Sequence, residues 1–313
     1  MVIRLGYVSI SKTIYDYVRL SDITYTNYSK DNNGDSKLDN VIKNNLNNLY
    51  EILLYNIKNN IHFYRISSNL IPLATKSDVL FDYLNSYNEI YKKLGKLIKK
   101  SNIRVDMHPS NYCVLNSSRE EVVRDSFEII KYHYDIMEMM RIKDKIIILH
   151  IGSSVLGKKN SISRFINNFR KLPKYLQDIV VIENDDKVFN IDDCLYISEK
   201  LGIPVVLDYH HFKCNNIGSG IEGYLDKIIE SWGDKVPKVH FSSPKNKREF
   251  RSHNEYINVD DFIEFINILY KFNSDIDIML EAKGKDEALF RLVRELKYKS
   301  DYKFIDETSF EVV

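Results

Sequence analysis

The chain has 313 residues, 44% of them hydrophobic and 28% charged, an ordinary globular composition long enough for one large α/β domain. Its 45 Lys+Arg against 44 Asp+Glu leave a formal charge of +1, so any nucleic-acid binding has to come from a local basic patch. Three widely spaced cysteines, Cys113, Cys194 and Cys214, exclude a disulfide framework and a cysteine-based zinc site and fit a reduced compartment. Val2-Ile3-Arg4-Leu5 enters a strand at once, without a signal-peptide pattern, and no apolar run reaches membrane-spanning length. A cytoplasmic protein without a membrane partner is expected, nucleoid-associated if the source is bacterial.

Residues 2 to 10 read as a first strand, with Gly6-Tyr7 at its end. Residues 20 to 38 are polar, with a turn at Asn32-Asn33-Gly34-Asp35. Ile42, Leu46, Leu49, Leu53 and Ile57 then recur at helical spacing. Phe63 to Ser68 form a second strand, a loop passes through Pro72, and a helix covers about 78 to 100. Ile103 to His108 form a third strand, stopped by Pro109. The helix around 119 to 142 is predicted to present Val122, Phe127, Ile130, Tyr134 and Met137 on one face. Strands follow at Ile146 to His150, broken by Gly152, and at Ile179 to Glu183, with a helix to Leu201. The sixth strand is Val205-Val206-Leu207-Asp208-Tyr209-His210-His211, hydrocarbon ending abruptly in an acid and two imidazoles. Lys238 to Phe241 and Ile276 to Glu281 complete the set, with a last helix to about Lys297.

Eight strand-then-helix units without a Pro-, Gly- or Ser-rich linker predict a single (β/α)8 TIM barrel over residues 1–313, with its active site at the C-terminal mouth. A doubly wound open sheet is the rival, and the absence of a Gly-rich phosphate loop after the first strand argues against it. Residues 299–313 form an aromatic and acidic tail to which the sequence assigns no role.

The chemistry stands at the strand ends: His108, His150, Glu183, Asp208, His211, His240 and Glu281. Any one of them alone reads as a capping or solvated group. One mouth explains them together, and His253 in the loop after the seventh strand can join them. Mixed imidazole and carboxylate ligands suit Zn²⁺, Mn²⁺ or Fe²⁺ better than Ca²⁺. The ligands are too many for one ion, and Glu183 on the central strand is the natural bridge between two. In an alternating strand Asp208 and His210 face one way and His211 the other; a turn past the strand end brings Asp208 and His211 together. His210 then packs behind the ligands, and His62 and His133 read as structural. Two basic stretches follow strand ends: Lys158 in Gly157-Lys158-Lys159, and Lys245, Lys247, Arg248 and Arg251 in residues 244–251. Both lie on mouth loops, where they suit phosphates, although a solvated loop explains a charge run equally well.

Over almost its whole length the chain resembles the UV damage endonucleases of the UvdE/UvsE type. The matching stretches are Arg4-Leu5-Gly6-Tyr7, Tyr64-Arg65-Ile66-Ser67-Ser68, Ile71-Pro72-Leu73-Ala74-Thr75, and His108-Pro109 with Tyr112 nearby. Leu149-His150-Ile151-Gly152, Glu183-Asn184-Asp185-Asp186, Asp208-Tyr209-His210-His211 and Lys238-Val239-His240-Phe241-Ser242 follow in order. The resemblance implies a barrel related to the endonuclease IV fold. It implies two or three divalent ions, commonly Mn²⁺, and a nick immediately 5′ of cyclobutane pyrimidine dimers and 6-4 photoproducts in double-stranded DNA, leaving a 3′-hydroxyl and a 5′-phosphate. No obligate protein partner is implied. The family pattern maps metal ligands onto His108, His150, Glu183, Asp208, His211, His240, His253 and Glu281. It maps catalytic roles onto Glu183 and Lys238, a lysine beside the metals, and duplex-handling aromatics onto Tyr7 and Tyr112. Lys76 stands where the family usually has His, keeping a cation but no neutral imidazole. Asn111 stands where it usually has Gln, one methylene shorter. An abasic-site enzyme of the endonuclease IV kind, a xylose isomerase-like sugar isomerase, and a damage-binding protein without catalysis are the alternatives.

Overall fold

Short runs of Val, Ile and Leu set the strands. In the computed structural model, which describes every residue except 217 and 219, these are β1 (Val2–Val8), β2 (Phe63–Ile66), β3 (Arg104–Met107), β4 (Ile147–His150), β5 (Val180–Glu183), β6 (Val205–Asp208), β7 (Lys238–Phe241) and β8 (Ile276–Leu280). They pair in parallel and in sequence order, and β1 closes the ring by pairing with β8 at Ile3↔Ile276 and with β2 at Gly6↔Phe63. The closure needs glycine at position 6, since a Cβ there would fall 2.4 Å from the Phe63 carbonyl oxygen. The fold is a closed eight-stranded (β/α)8 TIM barrel.

The helices lie between the strands. α1 (Tyr25–Ser29) and α2 (Gly34–Lys58) follow β1; α3 (Tyr83–Ser86) and α4 (Asn88–Ser101) follow β2; α5 (Glu120–Met139) follows β3. α6 (Lys158–Phe169) and α7 (Lys174–Gln177) follow β4, and α8 (Ile191–Leu201) follows β5. α9 (Tyr209–Cys214) and α10 (Glu222–Glu230) follow β6, α11 (Val259–Tyr270) follows β7, and α12 (Lys285–Lys299) follows β8. Several spans differ from expectation. α2 begins at Gly34, inside the expected turn, because Leu38 already belongs to its buried stripe. The helix expected over 78–100 is split: α3 and α4 begin only at Tyr83 and Asn88, and Leu80 is fully solvent-facing. In α5 the buried face runs through Val123, Ser126, Ile130, His133 and Met137, one position round from the predicted stripe, so Val122, Phe127 and Tyr134 flank it half-buried or exposed.

Two apolar layers result. The larger packs strand residues such as Ile182, Leu207 and Phe241 against the helices. The smaller fills one side of the barrel interior with Ile146, Ile148, Val181, Val206 and Trp232. The tail folds as β9 (Lys303–Phe304) and β10 (Ser309–Glu311), and β10 runs antiparallel to β1 at Val2↔Glu311. It covers the stretch of β1 that β2 does not reach, satisfying an otherwise open edge. Among the described residues no helix is long and apolar enough to cross a membrane.

Candidate metal centre at the barrel mouth

Strand alternation carries the apolar interior upward into polar side chains: Val181 to Glu183, Val206 to Asp208, Ile148 to His150. Three groups converge, each with ligand atoms within 4.8 Å of one another: His108, His150 and Glu183; Glu183, Asp208 and His211; Glu183, His240 and Glu281. Glu183 belongs to all three. Its Oε2 lies 3.0 Å from His108 Nε2, and its Oε1 2.9 Å from His240 Nδ1. Burial alone would raise its carboxyl, but the imidazoles of His240 and His150 hold it well below the usual range.

The Asp208–His211 pair forms differently from expectation. The strand ends at Asp208, whose side chain caps α9 by accepting from the His211 backbone N–H at 2.7 Å. Helical i,i+3 spacing then sets His211 Nδ1 3.7 Å from Asp208 Oδ2. Burial raises the Asp208 carboxyl, while Asp208 and Glu183 overcome the burial of His211 and lift it to about 9. Among the described residues Asp208 Oδ2 and His150 Nδ1 are buried without a hydrogen-bond partner. His150 turns its other nitrogen, Nε2, to Glu183 at 3.9 Å, and a buried carboxylate oxygen without a donor, as on Asp208, is what a cation ligand looks like before the cation is counted.

His253 arrives by a loop. Pro244 bridges to His253, and Lys245 N–H donates to the Ser252 carbonyl at 2.6 Å, folding residues 244–253 back on themselves. Its Nδ1 donates to the Glu281 carbonyl at 2.7 Å, leaving Nε2 with a free lone pair. The ring stands 6.1 Å from that of His211, beside the three groups rather than within them. His210 is buried behind them, its Nε2 3.8 Å from Cys214 Sγ. His62 pairs with Asp306 in the tail, away from the metal groups, and His133 lies 3.0 Å from Ser68 Oγ, which in turn donates to the His108 carbonyl.

A second polar tier lies beneath. Lys238 is fully buried, and its ammonium donates to Asp106 at 2.8 Å. Burial pushes that ammonium down to about 8 despite Asp106. Asp106 also accepts from Arg65 Nε at 3.0 Å; Arg65 Nη1 donates to Glu281 at 2.5 Å and Nη2 to His240 Nε2 at 2.6 Å. Burial would raise Asp106, but Lys238 and Arg65 hold it at about 2. Lys238 thus connects to the candidate ligands Glu281 and His240 through Asp106 and Arg65. Sequence reasoning passed over Arg65 and Asp106; the available signal was a charge in the middle of an apolar strand, with Asp106 two residues before His108. It also passed over Asn184, buried, which donates to the Asp208 carbonyl at 3.0 Å and accepts from its N–H at 2.9 Å, locking β6 beside β5.

The DNA-facing expectations divide. Asn111 and Tyr112 are exposed on the loop after β3, Tyr112 by 83%. That loop is held by Asn116, which bonds Ser153 in the neighbouring loop after β4; Gly152, at φ 114°, allows the approach, since a Cβ there would fall 2.4 Å from Asn116 Oδ1. Lys76 is exposed on the loop after β2. Lys247 and Arg248 are exposed without ion pairs among the described residues, whereas Lys245 pairs with Glu249 at 2.7 Å and Arg251 donates to the Asp186 carbonyl at 3.1 Å. Two expectations need correction. Tyr7 is fully buried with its hydroxyl on Asn56 at 2.8 Å, so it packs the barrel instead of standing exposed at the rim. Lys158 is the first residue of α6 rather than a loop residue, and it pairs with Asp193 at 2.6 Å.

Comparison with known proteins agrees with this geometry. The family model for UV-endonuclease UvdE matches residues 3–311. A UV DNA damage endonuclease of Bacillus cereus (strain 03BB102) is 38% identical over 301 residues, covering 95% of both chains. The crystal structure of SacUVDE superposes with a TM-score of 0.86 at 38% identity, over 95% of this chain and 98% of the other. Endonuclease IV from Thermus thermophilus, at 12% identity and TM-score 0.56 over 95% of this chain and 100% of its own, shares the fold.

Proposed function

Because the chain belongs to the UV-endonuclease UvdE family, we propose that this endonuclease nicks double-stranded DNA immediately 5′ of cyclobutane pyrimidine dimers and 6-4 photoproducts, leaving a 3′-hydroxyl and a 5′-phosphate. The observation that carries the reading is Glu183, one buried carboxylate shared by three imidazole and carboxylate groups at the mouth. The donor set fits two or three divalent ions of the Mn²⁺ type: hard oxygens mixed with imidazoles, with Asp208 Oδ2 lacking a hydrogen-bond donor among the described residues. His108, His150, Glu183, Asp208, His211, His240 and Glu281 would hold them, with His253 alongside. Ions bound there would activate water and neutralise charge on the phosphate.

The chain's own groups do the rest. Arg65 Nη2 lies 2.6 Å from His240 Nε2 and fixes the ring so that Nδ1 is the nitrogen turned toward Glu183 and Glu281. Arg65, Asp106 and Lys238 together hold His240 and Glu281 from below, so the ligands stay placed as substrate arrives. Tyr112 offers a stacking face at the rim, and Asn111 beside it offers an amide to an unpaired base. Lys76, Lys247 and Arg248 offer cations to the backbone. The site of action is cytoplasmic, at the nucleoid if the source is bacterial, and no protein partner is required. The test is nicking of a duplex with one site-specific thymine dimer, with and without Mn²⁺, beside a duplex with one abasic site. A Mn²⁺-dependent nick 5′ of the dimer is the expected result. Cutting of the abasic duplex alone would replace this reading with an abasic-site activity, and binding that survives EDTA without any nick would replace it with damage binding.

A further inference from the structure

One cation next to the metal groups has no task in the scheme above. Lys285 opens α12 and lines a cavity of about 310 Å³ together with Val8, Ser252, His253, Glu281 and Lys283. The cavity thus shares Glu281 and His253 with the candidate metal centre. The two acids nearest in charge to Lys285 are already engaged: Glu281 accepts from Arg65 at 2.5 Å, and Glu255 from Lys12 at 2.9 Å. Lys285 is half-buried, yet its ammonium makes no hydrogen bond or ion pair among the described residues.

The backbone holds it there against its preference. Lys285 has φ 52°, in the left-handed region that disfavours a residue with a Cβ. Gly284, which would accept that conformation freely, is instead at φ −74°, and a Cβ on it would fall 2.6 Å from the Glu255 carbonyl oxygen. The Lys283 and Gly284 N–H groups donate to the carbonyls of Asn254 and Glu255 at 3.0 and 2.8 Å, tying this loop to the one that delivers His253. A strained, tethered lysine with a partnerless charge beside a hydrolytic mouth points to an anion that the protein itself does not supply.

We propose that Lys285, with Lys283 at the cavity rim, forms a phosphodiester-binding subsite that grips a DNA backbone phosphate next to the scissile one. The inference rests on the endonuclease reading and adds to it a register: gripping one neighbour fixes which phosphate meets the Glu183 groups. A compact ammonium suits this as a point charge.

The test combines Lys285→Met, which keeps the stem, with single methylphosphonate substitutions at each phosphate flanking the expected nick. Lys285→Met is expected to lower kcat/KM about tenfold or more, with metal content unchanged. At one flanking position the neutral phosphonate and the variant should be non-additive. In binding to undamaged duplex, the slope of log K against log salt should fall by about 0.9, the loss of one phosphate contact. Lys285→Arg should restore the slope, and Lys285→Gln carries the same comparison if Lys285→Met does not fold. An unchanged slope, or additivity at every position, overturns the subsite. So does a fall in metal content with an unchanged slope, which would make Lys285 only a counter-charge for Glu281. A parent protein that leaves the thymine-dimer duplex intact sinks the endonuclease reading, and the salt slope then decides the subsite by itself.

Discussion

The barrel interior holds two charged clusters, one at each end, and they are built on opposite terms. At the N-terminal end Asp277 accepts from Arg4 Nε and Nη2 at 2.6 and 2.8 Å and from Arg104 Nη1 at 2.7 Å. Both carboxylate oxygens are satisfied, and Arg104 adds a bond to the Val236 carbonyl at 2.8 Å and a place over the Trp232 ring. At the C-terminal end Glu183 gathers imidazoles, Asp208 Oδ2 lacks a donor among the described residues, and like-charged or half-charged groups crowd together. In the lower cluster the shared carboxylate is fully engaged, and only Arg104 Nη2 is left buried without a hydrogen-bond partner among the described residues. The upper one gathers three groups of acids and imidazoles that could hold cations, and the Lys238–Asp106–Arg65 tier lies between the two.

The sharpest break of that contrast is Glu183→Gln. It keeps shape and removes the one charge common to the three groups. Nicking should fall at least about a thousandfold, the scale of losing a central electrostatic stabiliser. Metal content should drop, and the rise in Tm on adding Mn²⁺ should shrink. Full activity at full metal occupancy would remove Glu183 from the bridging role. Asp277→Asn tests the other end. Arg4 and Arg104 would lose their countercharge, costing about 3–5 kcal/mol of stability by denaturant titration, the cost of breaking a buried pair from one side. Metal content per folded molecule should not change; a loss there would show that the two ends are not independent.

Proton linkage sharpens the contrast further. In metal-free protein His211 is lifted to about 9 from the 6.5 of an unperturbed imidazole. Its contribution to stability is therefore fully present below pH 6.5 and lost as pH rises toward 9. Lys238 works the other way: lowered to about 8, it costs stability while it remains charged, and that cost is relieved only above pH 8. Between pH 6.5 and 8 the His211 loss, on the order of 2 kcal/mol, runs together with that of His240, which Glu183 raises against its burial, while Lys238 stays charged. His211→Gln should flatten that part of the pH profile, and an unchanged profile would show that His211 is not held charged by Asp208.

The two clusters also explain what the sequence made legible. Acids and imidazoles that end apolar runs stand out, so the ligands at strand ends could be read off together, and so could the barrel that aligns them. Arg65 and Asp106 could not be read this way, because a charge inside a strand has a meaning only when its neighbours across the ring are known. Tyr7 entered only through the family resemblance, and a motif match does not show packing: the ring is buried against Tyr64 and its hydroxyl bonds Asn56. Residues 205–211 read as one alternating strand because hydropathy does not show that Asp208 caps a helix. Lys158 reads as a loop cation because its partner, Asp193, lies in the next βα unit.

The smallest expected effect tests whether the rim reads lesions at all. A mouth that only held metals would cut any phosphate it reached, so selectivity needs residues that sense how easily bases leave the stack. UV photoproducts weaken pairing and stacking and are cheaper to extrude than normal bases. Tyr112 is 83% exposed beside Asn111, on a loop fixed to the neighbouring loop after β4 through Asn116 and Ser153, so its ring is presented rather than packed. That exposure removes the reading in which Tyr112 merely fills the loop after Pro109. Tyr112→Ala should cost roughly 1–3 kcal/mol in binding damaged duplex, the range for one base–aromatic stack, and much less on undamaged duplex. Tm and metal content should stay at parental values, since neither core nor ligand is touched. Asn111→Gln lengthens the neighbouring amide by one methylene, and if reach is limiting it should hold or raise the nicking rate. Equal binding of the lesion by parent and Tyr112→Ala would take the ring out of damage recognition, whereas an equal loss on both duplexes would make it a general DNA contact.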